Sequence, residues 1–375
     1  MPLAPQPSRQ KQPFSQSRFT SEDIVVANFL QLHFLTAYAP SNLNRDDTGR
    51  PKSAIFGGVN RLRVSSQSLK RAWRSSEVFE RRLNGHLASR TQRLGKDLVV
   101  YMMESKKMTD VHALKAATAI AGVFGKLKGE KDAHPEFIEQ LAFISPEERA
   151  AAFSLADRAI KGETVEPKED GILQKADTAA DIAMFGRMMA STPKYNREAA
   201  VQVAHALTTH KSVAEDDYYT AVDDLKTRDE PEDMGAGFVG VQEFGAGVFY
   251  IYICVDRDLL LKNLGGNRAV RDAALAALVE AAATVGPNGK QNSFASRAYA
   301  SYALGETGPQ QPRSLAAAFL KPVSKGSQHD ESVVELEKFR SQLNDAYGAC
   351  AENHYTMNVT AGKGTLAGLV EFALK

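Results

Sequence analysis

Gln67, Lys70, Arg71 and Arg74 carry the strongest chemical signal in this chain of 375 residues. They lie in the run Arg-Val-Ser-Ser-Gln-Ser-Leu-Lys-Arg-Ala-Trp-Arg, residues 63–74. At about 100° per residue their i, i+3, i+4, i+7 spacing places them on one side of a helix, with Leu69, Ala72 and Trp73 on the other. Ser65 or Ser66 can cap this helix, whose first turn leaves backbone N–H groups without partners and so attracts phosphate. A solvated surface helix is the ordinary source of such a charge run, and it normally mixes both signs. Here no acid occurs from Thr48 to Ser76. The locally uncompensated field points to a phosphate backbone.

A formal net charge of +1 argues against nucleic acid only if charge is spread evenly, and it is not. Between Arg45 and Arg74 stand Arg45, Arg50, Lys52, Arg61, Arg63, Lys70, Arg71 and Arg74 against Asp46 and Asp47. From Glu215 to Asp233 the balance reverses, with Glu215, Asp216, Asp217, Asp223, Asp224, Asp229, Glu230, Glu232 and Asp233 against Lys226 and Arg228. A basic and an acidic segment on one chain suit a heterologous interface that repeats without closing.

Other chemistries find little support. The two cysteines, Cys254 and Cys350, have no CxxC spacing and no histidine cluster to complete a zinc site, so neither a metal nor a disulfide framework is expected, and no cofactor. His205 and His210 are five apart, off the i, i+4 spacing of a two-histidine metal site. Gly235, Gly237 and Gly240 spell GxGxxG, but no strand precedes them and no helix follows, so they read as a loop. The longest apolar stretches, Val248 to Val255 and Ala273 to Val285, fall short of the roughly 20 residues of a membrane helix. Residues 1–25 are rich in Pro, Gln and Ser, carry Arg9, Lys11 and Arg18 with no acid before Glu22, and read as a disordered arm. They lack the apolar core of a secretion signal, and a cytoplasmic protein is expected.

The elements that must position the basic helix follow from periodicity. Residues 27–36 alternate so that Leu30, Leu32 and Phe34 share one face of a first strand. A long connection follows from Pro40 to Gly58, and loops of this length are often functional. Residues from about 77 to 200 read as helices, for example Val111 to Phe124 and Pro146 to Ile160. Val248 to Val255 alternates as a strand, and Arg268 to Val285 is an Ala-rich helix ended by Gly286-Pro287-Asn288-Gly289. Ala298 to Leu304 and Glu331 to Tyr347 suggest a further strand and helix. The fold class is therefore α+β, with a ferredoxin-like sheet of the kind RNA-recognition domains use.

Ser-Asn-Leu-Asn-Arg-Asp-Asp at 41–47, Ala-Ile-Phe-Gly-Gly at 54–58 and Ser-Ser-Gln-Ser-Leu-Lys-Arg-Ala at 65–72, three blocks in fixed order, resemble the CasC backbone subunit of the type I-E CRISPR Cascade complex. Phe-Gly-Arg-Met at 185–188, His-Ala-Leu-Thr-Thr-His at 205–210, Tyr-Thr-Ala-Val-Asp-Asp-Leu at 219–225, Gln-Glu-Phe at 242–244 and Gly-Val-Phe-Tyr at 247–250 agree as well. The resemblance covers about Asn28 to Ala318. It implies a hand-shaped subunit with an RRM-like palm over 26–83, 201–211 and 248–375, helical fingers over 84–200 and a protruding thumb over 212–247. It further implies a non-catalytic protein that stacks head to tail with copies of itself along a guide RNA and presents it to target DNA. Its partners would be the large subunit, the small subunit, the subunit on the guide's 5′-handle and the guide-processing endoribonuclease, with no membrane. Carried over by motif, Arg45, Lys52, Ser65, Gln67, Lys70, Arg71 and Arg74 would lie on guide phosphates. Met188 would wedge against a base, and Tyr219, where the family holds a different aromatic, would lie near a displaced nucleotide. On the residues alone Met188 reads as core filler and Tyr218 and Tyr219 as hairpin packing.

The rival activity is a metal-dependent endoribonuclease in which Asp46 or Asp47 holds the ion or polarises an attacking hydroxyl. On their own these carboxylates equally suit pairing with nearby arginines or hydrogen bonds within the loop.

Overall fold

The computed structural model describes residues 28–104, 108–129, 131–167, 171–221, 238–324 and 326–375. The expected N-terminal arm, the acidic residues from Asp223 to Asp233, and Gly235 and Gly237 lie outside them.

Strand β1 (Phe29–Ser41) is the spine of one antiparallel sheet. Leu30, Leu32 and Phe34 share a face as their alternation predicts, and they join the main core. A short hairpin follows, β2 (Ser53–Phe56) and β3 (Val59–Val64), turning at Gly57 and Gly58 with φ of 61° and 76°. Positive φ at both central residues is what a type I′ hairpin turn requires. Gly57 is doubly constrained, since a β-carbon there would fall 1.7 Å from the Leu320 carbonyl oxygen. Helices α1 (Ser66–Arg74) and α2 (Glu77–Arg82) come next.

The segment expected as helical fingers holds a two-stranded ribbon of β4 (Ser89–Thr91) and β5 (Ala142–Ile144) beside helices α3 (Leu94–Glu104), α4 (Asp110–Ala121), α5 (Pro146–Ile160) and α6 (Ala180–Phe185). Three-residue strands are too short for periodicity to register. This region has its own core, with Leu98, Met102, Ile120, Phe124, Ile144 and Leu155 buried together. Helix α5 starts where the sequence predicts, through a capping box between Ser145 and Glu148 and a proline in the first turn.

Strands β6 (Val201–Val203) and β7 (Ala206–Thr208) return to the sheet. β8 (Glu215–Ala221) pairs with the outer part of β9 (Phe238–Asp256), whose inner part pairs with β1. Helices α7 (Arg257–Asn263), α8 (Arg268–Thr284) and α9 (Gln291–Phe294) precede β10 (Ala300–Gly308), and α10 (Gln328–Tyr347), β11 (Asn353–Asn358) and α11 (Leu366–Leu374) end the chain. The central order is β10-β1-β9 with β6 and β7 beside β9, all antiparallel. With α1 and α8 in the two crossovers this is the split-βαβ, ferredoxin-like arrangement expected.

Both faces of the sheet are covered. On one, the alanines of α8 let that helix pack closely over Leu30, Phe34 and Ile253. On the other, α10 and the 3-10 turn Ala316–Phe319 close over Leu35, Tyr250 and Tyr302. Polar bonds fix this second cover. Glu306 accepts from Arg313 at 2.5 and 3.0 Å and from Arg340 at 2.9 Å. Burial opposes the charge on Glu306, but the bonds from its neighbours win and hold its pKa well below the usual carboxylate range. Burial also lowers the pKa of His33, and the two arginines stand against that carboxylate. RNA-recognition domains stack bases on the sheet face away from the helices. Here that face, with His33, Tyr250 and Tyr252, is sealed, and any nucleic-acid contact must lie elsewhere.

Candidate nucleic-acid interface

The chain leaves β1 into the loop 42–52, which is built on Asp46. Its Oδ1 accepts from the backbone N–H groups of Thr48 and Arg50, both at 2.9 Å, and from the Thr48 hydroxyl at 2.8 Å. These bonds, the Thr48 hydroxyl first, lower the Asp46 pKa. Arg50 reaches across to Glu243 at the root of the β8–β9 ribbon. Asn44 then donates the loop's position to the helix, because its Oδ1 accepts from the N–H of Ser65 at 2.9 Å. The Ser65 hydroxyl caps α1 by accepting from the N–H of Ser68. Ser65 is therefore a buried positioning residue whose N–H is bonded to Asn44 and whose hydroxyl accepts from Ser68.

Helix α1 buries Ser66, Leu69, Ala72 and Trp73 and presents Gln67, Lys70 and Arg71 outward. Arg74, expected on the same outward face, turns inward. Its guanidinium stands 3.9 Å from buried Asp181 and 4.9 Å above the Phe143 ring. Burial pushes the Asp181 carboxyl up to about 6 despite that arginine. Arg74 thus clamps α1 to the fingers.

The uncompensated basic run is also smaller than its sequence suggests. Arg61 is wholly buried and donates to the carbonyls of Phe56, Thr208 and Phe319. Arg50 is paired with Glu243, and Arg63 meets the Nδ1 of His205 at 2.9 Å. Among the described residues Arg45, Lys52, Lys70 and Arg71 have no side-chain partner. Two sequence-distant groups join them. Partial burial, and then the charges of Arg63, Lys52 and Lys70, keep the pKa of His205 low, which marks these cations as converging on one spot. Arg45, Ser68, Arg71 and Ser75 face Asn288 and Gly289 across an open polar groove of about 670 Å³. A β-carbon at 289 would fall 2.3 Å from the carbonyl oxygen of Leu43, so only glycine lets this wall approach.

Met188 is not core filler: it is 84% exposed. Beneath it, buried Arg187 donates to Glu148 at 2.5 and 2.9 Å and to the Phe143 carbonyl at 3.0 Å. A second buried pair, Arg197 with Asp177, and reciprocal backbone bonds between Arg187 and Arg197 complete the mounting. Phe143 connects this loop to Arg74 and hence to α1. Tyr219 is 43% exposed and lies across Gly240 on the β8–β9 ribbon, its ring centroid 6.1 Å from that of Phe238. Tyr218 and Val241 stand on the ribbon's other face, also exposed. His210 serves the fold, with Nδ1–H donating to the Lys211 carbonyl and Nε2 accepting from the N–H of Val248.

The sequence pattern of the CT1975-like protein family matches residues 30–371, nearly the whole described chain. The chain belongs to that family. A CT1975-like assignment agrees with solved structures of similar shape. One chain of a "CRISPR RNA-guided surveillance complex, pre-nicking" superposes with a TM-score of 0.81 at 27% identity, covering 92% of this chain and 99% of that one. A chain of a "CRISPR RNA-guided surveillance complex" superposes with a TM-score of 0.57 at 26% identity, covering 91% and 92%. No curated protein sequence matches. The α+β architecture expected from sequence is thus shared by this CT1975-like chain and subunits of such complexes.

Proposed function

We propose that this protein is a guide-RNA-binding backbone subunit of a type I-E CRISPR surveillance complex, non-catalytic, cytoplasmic, and stacked head to tail along its RNA. One observation carries the reading: unpaired Arg71, on a capped, rigidly mounted helix that also presents Lys70 outward, shares a groove with Arg45, while the sheet face that could read bases is sealed. Such a surface grips phosphates without regard to sequence, as a protein coating any spacer must. Exposed Met188 and Tyr219 supply apolar and aromatic surface that any base can meet. What supports the non-catalytic part is the loop, where Asp46 Oδ1 accepts from Thr48 and from the N–H of Arg50, the hydrogen-bonding role such a carboxylate also suits.

Lys70→Ala is expected to weaken RNA binding about equally for all sequences and to lower the slope of log affinity against log salt by about one unit, read by titration at several salt concentrations. A loss confined to particular sequences contradicts phosphate readout. For assembly, Asp216 and Asp217 are acids of β8 beside Glu243, and the charge of Asp216, after the bond and charge of Glu243, helps raise the Arg50 pKa. Reversing both charges should shorten filaments on RNA at low salt. Filaments of unchanged length would remove the acidic segment from the assembly contact.

A further inference from the structure

The turn that ends α8 was expected only to stop a helix, yet it is the far wall of the polar groove and borders a second hollow. Asn288 lines both. The hollow, about 440 Å³, is walled by Thr284, Pro287, Gln291, Ser296, Arg297 and Tyr299. Its backbone is held in an unusual shape. Lys290 and Ala295 adopt left-handed φ values of 49° and 47°, the only non-glycine residues to do so among those described. Such conformations persist where surroundings impose them, and they cluster at ligand sites. Three contacts impose this one: Gly289 against the Leu43 carbonyl, Gly286 against Tyr38, and Phe294 beside Phe244.

Three side chains then stand unused. Tyr299 is 74% exposed although it directly precedes β10. Arg297 is exposed, with no ion pair among the described residues. Gln291 accepts from the Ser296 hydroxyl at 3.1 Å, but its amide nitrogen is buried without a partner, a costly state unless a ligand acceptor completes it. An aromatic face, a cation and an orphaned amide donor thus surround a hollow that meets, at Asn288, the groove lined by Arg45 and Arg71 with Asp46 and Asp47.

Resting on the RNA-binding reading above, we infer that this hollow takes one nucleotide of the strand held at α1, its base stacked on Tyr299, its phosphate at Arg297 and a base or ribose oxygen at the Gln291 amide. Stacking makes the site tolerant of base identity.

The test uses the full chain and single-stranded RNAs of mixed sequence carrying 4-thiouridine. Tyr299→Ala is expected to weaken binding about tenfold, the scale of one base–aromatic stack. Arg297→Ala should lower the salt slope by about one unit. Irradiation of the unchanged protein should crosslink the peptide that contains Tyr299. Tyr347→Ala, which removes an equally exposed aromatic from α10, should change nothing. If Tyr299→Ala binds like the parent and no crosslink forms while Lys70→Ala is weak, the nucleotide site is wrong and the groove stands. If Lys70→Ala is also unaffected, the RNA reading itself fails and takes this site with it.

Discussion

Trp73→Ala should lower the stability of the protein by roughly 3 to 5 kcal/mol, the cost of emptying an aromatic site in a closed core. The ring is completely buried, and its indole N–H donates to the Val285 carbonyl at 3.2 Å. It therefore fastens α1 to the end of α8, where the far wall of the groove begins. Thermal unfolding should shift down by on the order of 10 °C. Trp73→Phe keeps most of the packing but leaves the carbonyl unpaired, and should cost only about 1 to 3 kcal/mol. The comparison with Lys70→Ala separates the two sides of one helix. The lysine variant should melt like the parent and bind RNA poorly, whereas the tryptophan variant should lose stability first. A Trp73→Ala protein that melts unchanged would mean that the apolar side of α1 is not core.

The amphipathic reading of residues 63–74 was legible because helical geometry sets faces from spacing alone. Leu69, Ala72 and Trp73 went inward and Gln67, Lys70 and Arg71 outward on that basis. What spacing cannot report is the partner each charge meets across the fold. Arg61 belongs to the same basic run yet is buried against the carbonyls of Thr208 and Phe319, Arg50 is consumed by Glu243, and Arg74 by Asp181, each of these partners more than a hundred residues away. Local charge counting therefore overstated the free field while correctly locating it. Met188 failed in the opposite sense. A methionine ordinarily fills core, and of the adjacent pair Met188 and Met189 only Met189 does so, while Met188 stands in solvent above the buried Arg187 pair. The groove wall at Asn288 and Gly289 was visible merely as a helix stop, because its role depends on contact with Leu43, about 245 residues earlier. The ferredoxin-like order was readable from strand and helix alternation, but the sealing of its second face was not, since Glu306, Arg313 and Arg340 come from three separate elements.

Glu148→Ala is the change expected to join stability and RNA geometry most directly. Glu148 is fully buried, accepts both bonds of the Arg187 guanidinium, and also accepts from the N–H groups of Ser145 and Gln174, each at 3.1 Å. Removing it strands a buried cation and two backbone donors and breaks the capping box of α5. Loss of one partner from a buried pair costs about 3 to 5 kcal/mol, so unfolding should begin in the fingers at lower denaturant. Because Arg187 adjoins Met188, the same change frees the loop that holds the exposed sulfur side chain in place. Met188→Ala supplies the contrast, since an exposed side chain can be shortened at a cost within about 0.5 kcal/mol. On the proposal that Met188 wedges against a base, both variants should abolish any enhanced chemical reactivity of that base in bound RNA, but only Glu148→Ala should also melt early. A Met188→Ala complex with an unaltered reactivity pattern would leave the methionine without a role at the base. A Glu148→Ala protein as stable as the parent would mean that the Arg187 pair does not carry the loop.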